Sequence, residues 1–95
     1  MKVQDFDCDD SYEAEKLAGL LSLNADNSSY IYGVATVIEN EIVVTLKDRS
    51  SHSIIMRDHN AAVNLSLVLQ DVIDGKKAVS KCDFKGYTVN IILNE

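Results

Sequence analysis

Residues 58–75 read DHNAAVNLSLVLQDVIDG, and the spacing of their apolar positions decides the architecture. Ala61, Ala62, Leu65, Val68, Leu69, Val72 and Ile73 recur every three to four residues and line one stripe of an α-helix. Asp58 stands where a side-chain oxygen satisfies first-turn N–H groups, and Gly75 where the chain must turn left-handed to leave a helix. Lys76 and Lys77 follow, at the negative helix end. The opposite stripe, Asn60, Asn64, Ser66, Gln70, Asp71 and Asp74, is expected to face water. A helix with so wide an apolar face needs a sheet to cover it.

The flanking sequence supplies one. Upstream, Tyr30–Ile38 is rich in Tyr, Ile, Val and Thr, and 41–47 alternates, with Ile42, Val44 and Leu46 on one face. These two predict a hairpin across Glu39-Asn40, with Asn40 tolerating a positive φ. A polar turn at 48–51 leads into a short strand, His52–Arg57. Downstream, Ala78–Phe84 and Tyr87–Leu93 read as two more strands joined at Lys85-Gly86. Further upstream, Asp10 and Glu13 form a capping-box pattern ahead of Ala14, Leu17, Ala18 and Leu21, a helix over 11–23 ended by the turn residues 24–29. The order α-β-β-β-α-β-β predicts an α+β domain spanning 1–95, with one antiparallel five-stranded sheet and two helices packed on one face. Residues 1–10 read as a solvated acidic lead-in, and no internal repeat is found.

That order begins like the double-stranded-RNA-binding domain, which grips phosphates with a basic cluster opening its last helix. Here the same position reads Arg57-Asp58-His59-Asn60, so the likeness is topological and carries no function. The charge balance argues the same way. The chain has 9 Lys and Arg against 15 Asp and Glu, a net charge of −6. Residues 1–15 hold Asp5, Asp7, Asp9, Asp10, Glu13 and Glu15 against Lys2 alone. Such a balance repels phosphate backbones and attracts a basic protein surface.

Catalytic and metal chemistry finds little to build on. Asp5, Asp7 and Asp9 alternate as in a calcium loop, but Asp10 stands where that loop needs Gly and Lys16 where it needs Glu. His52 and His59, with Cys8 and Cys82, make a zinc-competent set without the close ligand pairs that structural zinc sites use. Asp58-His59 resembles a fragment of a ββα-metal nuclease site whose remaining residues are missing, and Asp58 is better read as a helix cap. Gly19, Gly33, Gly75 and Gly86 are too scattered for a phosphate loop, and there is no nucleophile elbow. The two cysteines belong to no CxxC and are expected to be reduced.

The sequence therefore predicts a non-enzymatic cytoplasmic protein that binds no cofactor, metal, nucleic acid or membrane. Its expected partner is another protein with a basic surface, met by Asp5, Asp7, Asp9, Asp10, Glu13, Glu15, Tyr30 and Tyr32. Small acidic inhibitors of nucleic-acid enzymes, of the anti-defence, phage or immunity type, share this size and charge. The alternative is a small structural or ligand-binding module forming a homodimer through surplus apolar sheet surface.

Overall fold

Eight elements follow one another: β1 (Lys2–Asp7), α1 (Ser11–Asp26), β2 (Ile31–Val34), β3 (Glu41–Leu46), β4 (Ser51–Ile55), α2 (His59–Ile73), β5 (Ala78–Lys85) and β6 (Thr88–Asn94). The computed structural model describes residues 2–26, 31–34 and 38–94, with the side chains of 24–26 excepted. The mixed α+β class and the antiparallel pairing agree with the sequence reading. Two features correct it. The supposed lead-in is a strand, β1, with Phe6 and Cys8 buried while Asp5 and Asp7 alternate outward. The sheet is also not single: β1-β6-β5 and β2-β3-β4 are two three-stranded antiparallel sheets.

The division has a local cause. β1 and β4 approach each other at one antiparallel bridge, Cys8 opposite Met56, closed by Asp9 N–H to Ile55 C=O and Arg57 N–H to Asp7 C=O, both 3.0 Å. Just beyond it each chain turns into a helix cap. The Asp10 carboxylate accepts the Glu13 N–H at 2.9 Å, and the Asp58 carboxylate accepts the Ala61 N–H at 2.8 Å. Capping consumes the residues that would have extended the pairing.

The symmetry of these contacts exposes a repeat that the sequence reading does not find. Cys8 and Met56 lie 48 positions apart, and the same offset carries Asp10 to Asp58, Ala14 to Ala62, Leu17 to Leu65 and Leu21 to Leu69, the three apolar pairs all buried. It also carries Ile31 to Val79, each opposite a leucine (Leu46, Leu93) and each followed by a register shift. With an offset one shorter, the positive-φ Glu39 (φ 55°) matches Gly86 (φ 61°). The Met56 N–H bond to Asn40 C=O matches that of Cys8 N–H to Tyr87 C=O, each 2.7 Å. The chain is two α-β-β-β units, α1-β2-β3-β4 and α2-β5-β6-β1, the last strand of the second being supplied by the N-terminus. Each helix packs mainly on the other unit's sheet: α1 on β5 and β6, α2 on β2 and β3. Leu17, Leu21, Leu65, Leu69, Ile42, Ile54, Ile91 and Leu93 all enter one shared core.

Candidate interaction surface

The six carboxylates singled out by the sequence separate on folding. Glu13 is turned inward: it is buried, its Oε1 accepts the Ile55 N–H of β4 at 2.8 Å, and its Oε2 pairs with Lys16 at 3.0 Å. The expected return bond to the α1 cap is replaced by this longer-range one. Asp10 is spent as that cap. Asp7 is half-buried, pairing with Arg57 at 3.2 Å and accepting the Thr88 hydroxyl at 2.8 Å. Asp5, Asp9 and Glu15 remain exposed, with no cation within ion-pair distance among the described residues. Tyr32 is 72% exposed on β2, while Tyr30 lies outside the described residues.

Arg57, which the sequence reading assigns to no site, lies at the seam between the units. Its guanidinium lies 5.7 Å from the Tyr87 ring centre and against Asp7. It also borders three depressions. One, of about 430 Å³, runs between β1 and the start of α2 and is lined by Asp5, Phe6, Asp7, Arg57, Asp58, Ala61 and Asn64. A second adds Glu39, Asn40 and His59, the third Cys8, Asp9 and Tyr87. A further groove of about 370 Å³, between α1 and β5, is lined by Glu15, Ala18, Gly19, Ser22, Cys82, Asp83 and Phe84.

The remaining candidate groups are dispersed. His52 shares a hydrogen bond with the Ser50 hydroxyl at 3.1 Å, and His59 Nδ1 meets the Glu39 carbonyl. Among the described residues no three His, Cys, Asp or Glu side chains are grouped to hold a metal ion, and no helix is long and apolar enough to cross a membrane. Cys8 and Cys82 are free thiols. Burial first, and neighbouring negative charge second, push each from 9.0 up to about 12, the charges being Glu13, Asp7 and Asp10 for Cys8 and chiefly Asp83 for Cys82.

Two results are expected from those thiols. Native protein at about pH 8 reacts with a disulfide reagent far more slowly than a free thiol, and both cysteines react once the chain is unfolded. Above pH 9 the unfolded thiols ionise while the folded ones stay protonated to about 12. The unfolded state then binds fewer protons, so stability must fall across that window. Base titration followed by circular dichroism reads this fall, and Cys82→Val should make it shallower.

No family model, curated protein or solved structure matches this chain.

Proposed function

We propose that this chain is a non-enzymatic cytoplasmic binding protein that docks on a basic surface of another protein, as a small acidic inhibitor covers the phosphate-binding cleft of a nucleic-acid enzyme. The observation that supports this reading is the contrast among its charges. Lys16 and Arg57 are already paired with Glu13 and Asp7, whereas Asp5, Asp9 and Glu15 project from β1, the β1–α1 junction and α1 with no cation at ion-pair distance among the described residues. Such unpaired surface charge steers association and fixes orientation, and salt screens it.

The test neutralises charge and leaves the chain intact, because truncating residues 1–10 would remove Phe6 and Cys8 from the core. A protein captured from the source cells should bind the Asp5→Asn/Asp9→Asn/Glu15→Gln variant at least about tenfold more weakly, with a flatter salt dependence. Equal affinity for both chains, or binding indifferent to salt, would refute the reading.

A second reading, pairing of two copies, is favoured by one feature. β2, one of the two outer strands of its sheet among the described strands, reads IYGV without a charge and exposes Tyr32, whereas β5 guards its edge with Lys81, Asp83 and Lys85. Light scattering that finds only monomer at roughly 100 µM removes this reading.

A further inference from the structure

The two units are not equivalent where helix meets strand edge. In the antiparallel pairing of β1 with β6, Cys8 N–H bonds Tyr87, so by alternation the N–H groups of Val3, Asp5 and Asp7 point to the other edge. The matching groups of β4 are those of Ser51, Ser53 and Ile55. On β4 the groove beside α1 is plugged: Glu13 takes the Ile55 N–H and Lys16 neutralises Glu13. On β1 the residues 48 positions on are Ala61 and Asn64, too short to plug it. There the groove of about 430 Å³ stands open, and Asp7 N–H meets no acceptor among the described residues. Its rim carries Asp5, Asp7 and Asp58 against the single cation Arg57.

We infer that this groove receives an extended basic segment of a partner protein, laid along the outer edge of β1 as an added strand. The inference rests on the proposed basic partner and names how it is held. Main-chain carbonyls of the segment accept the N–H groups of Asp7, Asp5 and Val3, a span of about 13 Å that five extended residues match. Its Lys or Arg side chains meet Asp5 and Asp58, a pairing that a neutral or acidic segment lacks. Beyond Asp7 the edge is closed, because Arg57 N–H already holds the Asp7 carbonyl, and this sets the register.

The experiment uses the full chain labelled with nitrogen-15, titrated with a peptide of about seven alternating Lys and Val residues and with its Glu-for-Lys counterpart. The Lys peptide should slow hydrogen exchange at Asp5 and Asp7 at least about tenfold, and the Glu peptide should leave it unchanged. The double variant Ala61→Glu/Asn64→Lys installs the plug of the other unit and should abolish that protection while its melting temperature holds or rises. Val3→Pro removes one outward N–H that β6 does not use and should weaken binding without touching the groove walls. Binding of the Lys peptide that leaves the β1 amides unprotected, or that survives in the plugged variant, overturns the strand addition. If that binding is still lost in the Asp5→Asn/Asp9→Asn/Glu15→Gln chain, the basic-partner reading stands alone. If no salt-dependent binding occurs at all, both fall.

Discussion

Leu65→Ala or Leu69→Ala is expected to remove most of the stability of the protein. The two side chains are 0% and 1% exposed, and deleting buried leucine atoms typically costs about 2–5 kcal/mol, because the cavity left behind closes only partly. A domain of this size holds only about 5–14 kcal/mol in total. Their counterparts Leu17 and Leu21 on α1, both 0% exposed, should cost as much, since each helix seals the other unit's sheet. Phe6→Ala on β1 belongs with them at about 3–5 kcal/mol, an outcome foreign to a solvated lead-in. Asn64→Ala and Gln70→Ala should stay within about 0.5 kcal/mol, as Asn64 is exposed and Gln70 makes one exposed bond, to Asp74 at 3.0 Å. Urea melts read all of these as midpoint shifts at constant slope. Near-native midpoints for both Leu65→Ala and Leu69→Ala would mean that α2 is peripheral to the core.

Those leucines were legible because a helical stripe is a local pattern. The α2 cap at Asp58, the left-handed Gly75 (φ 80°) and the alternation of Ile42, Val44 and Leu46 were legible for the same reason. β1 was not, because the two buried residues of the segment, Phe6 and Cys8, stand among four aspartates, and charge density imitates a solvated tail. The hairpin turn lies where the sequence predicts it, but its positive φ falls on Glu39 and not on Asn40; the Asn40 side chain instead donates to the Met56 carbonyl at 2.8 Å. The repeat did leave a trace, since Asp10, Ala14, Leu17 and Leu21 share one spacing with Asp58, Ala62, Leu65 and Leu69. It is masked because one strand of the second unit precedes the first unit, and because the offset slips by one residue between the helices and the hairpins. The approach of β1 to β4 depends on a bridge between residues 48 apart, which no local pattern encodes.

Glu13 shows best how a local reading differs from a tertiary one, and Glu13→Ala should be the costliest single change among the acidic residues, at about 2–3 kcal/mol. The change removes a hydrogen bond to a charged acceptor, typically worth about 1.5–3 kcal/mol, and strips the Ile55 N–H of its partner. Lys16 loses its ion pair as well, although it is 29% exposed and water offsets much of that loss. At the same place in α2 stands Ala61, which leaves the groove beside Asp7 open, whereas Glu13 fills the corresponding place beside β4. Glu13→Gln keeps an oxygen for the Ile55 N–H and should cost only about 1 kcal/mol. A Glu13→Gln/Lys16→Met cycle separates the ion pair from the hydrogen bond. Hydrogen exchange at the Ile55 amide gives the direct readout: it should speed up in Glu13→Ala and stay near native in Glu13→Gln. If the Ile55 amide exchanges at its native rate in Glu13→Ala, the carboxylate does not hold the β4 edge, and its burial must instead be a matter of packing around the Lys16 pair.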